Sequence, residues 1–174
     1  EKIKVVKEGR AVQLALREGC SPFGPGVRSR CALGSSVIRK PIQSWKVEVR
    51  LDQQGGTPWA FIGVHHATAV SENTLHDAVG FQHVTHDNYA HSIRACGQVT
   101  PPGCIGTAAW PGFEDGDIVT MTLDTSGASG TLTMAIPRLG GQEFKACGLD
   151  TTRKYRLLLV FGATQSPGSF RVMK

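Results

Sequence analysis

Two stretches of the chain alternate apolar and polar residues: residues 44–51 (SWKVEVRL) and residues 116–124 (GDIVTMTLD). A turn-rich stretch, residues 125–130, follows the second of them, and another apolar alternation occupies residues 131–136 (TLTMAI). Alternation with a period of two is typical of strands that have one buried face and one face in water. The three segments therefore predict β-structure, and proteins built from such strands usually carry their function in the loops that the sheets hold rigid.

Further strand candidates are spread over the whole chain, with Gly- and Pro-rich turn signals between them. The predicted strands are residues 2–6, 11–16, 29–33, 44–51, 59–64, 79–84, 89–95, 117–124, 131–136, 155–161 and 169–173. Twenty-one glycines and nine prolines fit many short strands joined by tight turns. Strand number and spacing predict an all-β fold, a two-sheet antiparallel β-sandwich.

The strand pattern also indicates which side chains form the core. The residues expected to be buried are Trp45, Val47, Val49, Ile118, Leu123, Leu132, Leu157, Leu159 and Phe161.

Length and composition favour one domain, residues 1–174, in a soluble protein. No apolar run approaches the roughly 20 residues that a membrane span needs. The chain begins at Glu1 and not at Met, so we expect it to be a fragment of a longer protein. Five cysteines without a C-x-x-C pair indicate reduced thiols and a cytoplasmic or nuclear location. In an oxidising compartment, Cys96 and Cys104, which flank a Gly- and Pro-rich turn region, could form a disulfide.

Charge is distributed unevenly along the chain. Residues 1–50 contain eleven Lys or Arg against four Asp or Glu, residues 51–152 contain three against ten, and residues 153–174 contain five against none. If the two ends lie side by side in the fold, they form one basic face and the acidic middle lies opposite.

The order of these strands resembles the SPRY (B30.2-type) domain, of which the chain looks like a divergent member. The segments that match the family's motifs are, in chain order, 45–49 (WKVEV), 59–64 (WAFIGV), 89–93 (YAHSI), 116–119 (GDIV), 123–124 (LD), 130–132 (GTL), Gly141 with Phe144, and 155–161. The resemblance covers about residues 35–173. Where the family has an Asn-Gly turn, this chain has Ile136-Pro137-Arg138.

The resemblance implies a SPRY-like or concanavalin-like jelly roll and a non-catalytic module that binds a protein or peptide through loops at one end of the sandwich. The specificity loop is then residues 67–77, and Tyr89, His91 and the turn at residues 163–168 complete a shallow pocket. The candidate partner-binding residues are Thr68, Ser71, Glu72, Asn73, Thr74, Tyr89, His91, Gln165 and Ser166.

Two other functions remain open from the residues alone. A carbohydrate-binding sandwich needs an exposed tryptophan to stack on the sugar, and Trp110 is the candidate. An RNA-binding adaptor would use the basic residues Arg28, Arg30, Arg39, Lys40, Lys46 and Arg50, although aromatic residues make up only 7% of the chain.

No motif predicts catalysis, a cofactor or a metal. All six histidines fall between His65 and His91, but neighbours on a strand, such as His65 and His66, point to opposite faces and do not share one ion. Gly-x-Ser-x-Gly and His-Glu-x-x-His are absent. Among Glu114, Asp115 and Asp117, Asp117 is expected to cap backbone amides in its Gly-Asp turn.

Overall fold

The computed structural model describes residues 11–12, 16–17, 29–33, 37–51, 59–67, 78–84, 92–95, 98–99, 110–162 and 169–173. These residues form thirteen strands and one 3₁₀ helix, Pro137–Leu139. The strands are β1 (Ala11–Val12), β2 (Leu16–Arg17), β3 (Ser29–Leu33), β4 (Ile42–Arg50), β5 (Trp59–His66), β6 (Ala78–Val84), β7 (Ser92–Ala95), β8 (Gln98–Val99), β9 (Ile118–Asp124), β10 (Gly130–Ala135), β11 (Glu143–Leu149), β12 (Tyr155–Gly162) and β13 (Ser169–Met173). Within this part of the chain no helix is long and apolar enough to cross a membrane.

The strands form two sheets. Sheet A has the order β1-β13-β4-β9-β10-β11, and sheet B has the order β2-β3-β12-β5-β6-β7-β8. Every neighbouring pair is antiparallel. The predicted all-β, two-sheet antiparallel sandwich is therefore confirmed.

The alternating segments of sheet A bury the predicted face. Val47 and Val49 of β4 and Leu123 of β9 are buried, as are Leu132, Leu157 and Leu159. Two expectations were wrong. Ile118 is 41% exposed because it lies on the opposite face of β9 from Leu123, an odd number of residues away. Trp45 packs against the core but is only half-buried. The side chain of Phe161 lies outside the described part.

Sheet B is buried on both faces at its centre. Ile62 and Leu159 belong to the core between the sheets, whereas Phe61, Leu158 and Val160 are fully buried on the other face. This explains why residues 157–161 (LLLVF) form a continuous apolar run and not an alternation.

Two glycines face each other where β5 pairs with β6. Gly63 is the register partner of Gly80, and the ring of Phe61 covers both. A Cβ atom added at Gly63 would lie 2.8 Å from the Phe61 ring and closer still to the carbonyl oxygen of Val79. The absence of a side chain at both positions is therefore what allows this close packing.

One strand of sheet A, β11, was not predicted from the sequence. Its buried residues are Phe144, Ala146 and Leu149, so the alternation changes phase before its end. Gly148, with φ of 82°, is an extra residue there, because Thr131 pairs with Cys147 while Gly130 pairs with Leu149. A bulge of this kind interrupts the period of two on which recognition of a strand depends.

The ends of the chain differ from expectation in another way. Residues 11–16 were predicted as one strand, but β1 joins sheet A and β2 joins sheet B. β8 was not predicted. The strand predicted over residues 2–6 lies outside the described residues. β1 pairs with β13, with Ala11 opposite Arg171, so the early and late parts of the chain are neighbours as expected.

Candidate functional site

The nine predicted partner-binding residues all lie outside the described residues, so their grouping stays a prediction. They are Thr68, Ser71, Glu72, Asn73, Thr74, Tyr89, His91, Gln165 and Ser166.

The strand ends next to these segments lie at two ends of sheet B. Ala67 follows β5 at the end of sheet B where Tyr155 begins β12 opposite His66. Val84 lies opposite Trp59 at the other end, and Gly162 ends β12 on that side. Val84 and Gly162 therefore lie at the end of sheet B opposite to Ala67.

A groove of about 720 Å³ lies at the Tyr155 end of the sandwich. Three separate parts of the chain line it: the segment that leads into β4, the residues around the end of β9, and the turn between β11 and β12. The lining residues are four cations, Arg39, Lys40, Arg153 and Lys154; three threonines, Thr125, Thr151 and Thr152; and Val37, Ile38, Pro41, Leu123 and Tyr155.

Main-chain hydrogen bonds hold the groove walls together. The N–H of Ile38 donates to the carbonyl of Tyr155 at 2.8 Å, and the N–H of Thr125 donates to the carbonyl of Pro41 at 2.7 Å. The Thr125 hydroxyl also donates to the Pro41 carbonyl, at 3.1 Å. Since Pro41 leads into β4 of sheet A and Tyr155 begins β12 of sheet B, the groove spans the seam between the two sheets.

The same end carries the start of the predicted specificity loop. The N–H of Ala67 donates to the carbonyl of Lys154, a groove residue, at 2.7 Å. Ala67, the first residue of the predicted specificity loop 67–77, therefore lies beside the groove.

Aspartate turns stiffen two of the groove segments. The Asp150 carboxylate accepts bonds from the Thr152 hydroxyl at 2.6 Å and the Thr152 N–H at 2.9 Å, and both contacts lower the pKa of Asp150. The Asp124 carboxylate accepts the equivalent pair from Ser126, and its pKa is lowered for the same reason. Such side-chain turns fix a loop without sheet hydrogen bonds. The Tyr155 hydroxyl adds a bond to the Asp150 carbonyl at 3.0 Å.

The cations of the groove outnumber the carboxylates that neutralise them. Arg153 pairs with Asp150 through Nε at 3.0 Å. No carboxylate of the described residues lies within 4 Å of the charged groups of Arg39, Lys40 or Lys154, and all three side chains are exposed. Arg39 and Lys40 come from the basic first 50 residues, and Arg153 and Lys154 from the basic last segment. The groove therefore brings together positive charge from both ends of the chain, as the charge distribution predicted for a basic face.

The acidic cluster at residues 114–117 has a structural role, as expected. The Asp117 carboxylate is buried, accepts the N–H of Glu114 at 2.8 Å, and receives two hydrogen bonds from Arg138. The side-chain hydrogen bond to Asp117 raises the pKa of Arg138. Asp115 accepts the N–H of Leu51 at 2.9 Å. Pro137–Leu139, the 3₁₀ helix in place of the Asn-Gly turn, supplies Arg138.

Trp110 does not offer a stacking surface for a sugar, so its prediction as an exposed sugar-binding residue was wrong. It is 5% exposed, and its Nε1–H donates to the carbonyl of Gln82 at 2.8 Å. Its ring makes edge contacts with Phe81, Phe113 and Phe144 at centroid distances of 5.0 to 5.3 Å. The aromatic side chains that the structure describes are all buried, apart from the half-buried Trp45 and His66.

Histidines of the described strands have packing roles. β5 extends to His66, so His65 and His66 alternate in direction, and the His66 ring packs edge-on against Tyr155. His83 is buried, stacks on Phe113 and accepts the Phe113 N–H through Nδ1 at 3.0 Å. Among the described residues no group of three or more His, Cys, Asp or Glu side chains is placed to hold a metal ion.

No family model matches the chain, and no curated protein matches it. Solved structures share its fold. Peanut lectin with a nine-residue peptide is 11% identical, with a TM-score of 0.56, and the match covers 98% of this chain and 85% of the lectin. The lectin UEA-II in complex with galactose is 13% identical, with a TM-score of 0.52, over 94% and 84% of the two chains.

The SPRY domain of human HERC1 is 14% identical to this chain, with a TM-score of 0.53, and the match covers 94% of each chain. At these identities the likeness shows the fold alone. The expected resemblance is thus supported at the level of the fold: the chain is a β-sandwich of the architecture shared by SPRY domains and legume lectins.

Proposed function

We propose that this domain is a non-catalytic binding module that holds a peptide or a protein segment in the groove at the Tyr155 end of the sandwich. The observation that carries the proposal is the groove itself, about 720 Å³ in volume and built across the seam between the sheets. In its walls the N–H of Ile38 is bonded to the carbonyl of Tyr155 in β12. The N–H of Thr125, next to β9, is bonded to the carbonyl of Pro41, next to β4. Binding residues on loops that a rigid scaffold positions are the usual arrangement in β-sandwiches.

The chemistry of the lining suits an extended peptide. Val37, Ile38 and Pro41 supply accessible apolar surface. The three threonine hydroxyl groups can accept hydrogen bonds from a ligand. The specificity loop implied by the SPRY resemblance begins at Ala67, which is bonded to the groove residue Lys154.

Carbohydrate binding is the rival function, because galactose is bound by a lectin of similar fold. Aromatic stacking, the main contribution to many sugar sites, has no support in the described residues, since Trp110 belongs to the core. A test of the proposal therefore includes a glycan array as its second arm.

The experiment selects ligands from a displayed library of random dodecapeptides with the 174-residue chain immobilised. Selected peptides are then titrated against Thr151→Trp, which fills the groove, and against Thr133→Trp, in which the same substitution is made on the outward face of β10. Both threonines are half-buried, so the pair is matched in chemistry and exposure.

We expect Thr151→Trp to weaken peptide binding by about tenfold or more, and Thr133→Trp to leave it unchanged. Peptides that bind both variants equally would place the site elsewhere. Selection of glycans from the array, with no peptide enriched, would overturn the proposal in favour of the lectin-like function.

A further inference from the structure

We infer that the partner of the groove is an acidic peptide segment, whose Asp and Glu carboxylates are bound by Arg39, Lys40, Arg153 and Lys154. This inference rests on the proposed function and specifies the chemistry of its ligand. The four cations occupy both walls, two in the segment before β4 and two in the turn before β12. An extended peptide bound between the walls therefore has positively charged side chains on both sides.

Three of the cations are free to bind such a ligand. Arg39, Lys40 and Lys154 have no carboxylate of the described chain within 4 Å, and their side chains are exposed. Unneutralised charge of one sign beside a concave surface attracts ligands of the opposite sign and accelerates their association.

Arg153 is held in place for the same role. Its Nε–H is committed to Asp150 at 3.0 Å, while the Asp150 carboxylate is itself fixed by Thr152. A guanidinium group has five N–H donors in a rigid plane, so this contact leaves the two terminal nitrogens for a second carboxylate. Orientation by Asp150 reduces the conformational entropy that binding would otherwise remove from the side chain.

The described surface favours a peptide over a single-stranded nucleic acid. RNA phosphates would be attracted by the same cations, but recognition of single strands relies on exposed aromatic rings on which bases stack. The one aromatic ring in the groove lining is Tyr155, which is buried and bonded to Asp150 through its hydroxyl. RNA binding is accordingly an outcome that the test distinguishes.

The test compares two double substitutions that change the net charge equally. Lys40→Glu with Lys154→Glu reverses charge in the groove, whereas Lys46→Glu with Lys145→Glu reverses it on the exposed outward face of sheet A. Three labelled probes are titrated by fluorescence anisotropy. They are a dodecapeptide rich in Asp and Glu, the same peptide with Asn and Gln in their places, and a dodecamer of uridylate.

We expect the acidic peptide to bind the unmodified chain at least about tenfold more tightly than its amide counterpart, and more weakly as salt rises from about 50 to about 200 mM. The groove variant should lose about tenfold or more in affinity for the acidic peptide, and the sheet A variant less than about twofold. Circular dichroism melting of both variants verifies that they are folded.

Three results would overturn the inference. Equal loss in both double variants would show attraction by net charge and not by the groove. Equal binding of the acidic and amide peptides would show that the carboxylates are not recognised. Tighter binding of uridylate, lost in the groove variant, would assign the cations to nucleic acid. If library peptides still lose affinity for Thr151→Trp but are not enriched in Asp and Glu, the proposed function stands and the acidic specificity alone fails.

Discussion

Arg138 closes over the carboxylate of Asp117, with Nε 3.0 Å from Oδ1 and Nη2 2.9 Å from Oδ2. The Asp117 side chain is only 5% exposed, and Arg138 also contacts Glu114 at 2.8 Å. A turn and a 3₁₀ helix that are distant in sequence are joined by this bidentate pair.

Loss of Arg138 should destabilise the domain. Arg138→Ala leaves the Asp117 carboxylate buried without its two charged donors, so we expect the free energy of unfolding to fall by about 2 kcal/mol. Arg138→Lys should recover part of this, since Lys restores the charge but not the planar fork. Urea denaturation measures the free energy of unfolding of both variants.

Arg153→Ala, which breaks an exposed ion pair, is the control and should change the free energy of unfolding little. A similar loss in the two alanine variants would contradict the structural role of Arg138.

Trp110 and Trp45 should differ in their contribution to stability. Trp110 is buried and hydrogen-bonded, so Trp110→Ala should cost about 3–5 kcal/mol through lost packing and a cavity. Trp45 is half-buried, so Trp45→Ala should cost clearly less. Guanidinium denaturation of both variants gives the comparison. A smaller cost at Trp110 than at Trp45 would contradict the buried position of Trp110 among Phe81, Phe113 and Phe144.

The close approach of β5 and β6 should not tolerate a methyl group. Gly63→Ala places a Cβ against the Phe61 ring and the Val79 carbonyl, and the strands must separate to accept it. We expect a loss of about 1–3 kcal/mol in the free energy of unfolding, as for other overpacked sites. Gly127→Ala is the matched control, because the nearest atom to its added Cβ is 3.7 Å away. Thermal melting in which both variants match the unmodified chain would exclude this packing.

Acid should weaken the turn before β12. The hydrogen bonds from Thr152 lower the pKa of Asp150 in the folded state below the ordinary aspartate value of about 3.9. The stabilisation is therefore fully present above about pH 4 and is lost as the pH falls through the folded-state pKa. Asp150→Asn should remove this part of the pH dependence. Urea denaturation at several pH values between about 2.5 and 7 measures the free energy of unfolding. If it falls as steeply at low pH in Asp150→Asn as in the unmodified chain, the turn does not depend on the ionised carboxylate.

Much of the sandwich could be predicted because its strands obey simple periodicity. Val47, Val49 and Leu123 lie every second residue on one face of their strands, and they are buried as the pattern requires. β11 could not be predicted in this way because Gly148 inserts a residue and shifts the phase. Ile118 differs from the prediction because an apolar side chain occupies an outward position of the alternation in β9.

The groove was harder to predict than the fold. Arg39 and Lys154 lie more than a hundred residues apart in the chain, and neither belongs to a motif. Their only shared signal was the excess of Lys and Arg at both ends of the sequence. The charge counts predicted a shared basic face, and the pairing of β12 with β5 and the contact of Ile38 with Tyr155 show where its residues meet.

The position of the groove has a mechanical consequence. One wall of the groove precedes β4 of sheet A, and the other includes the first residue of β12 in sheet B. A ligand bound to both walls therefore links the two sheets. The two sheets can then separate only after the ligand has dissociated. The amide hydrogens of Ile38 and Thr125, which form the hydrogen bonds of the groove walls, should both exchange with solvent more slowly when ligand is bound. Mechanical unfolding of the domain should then also require a greater force.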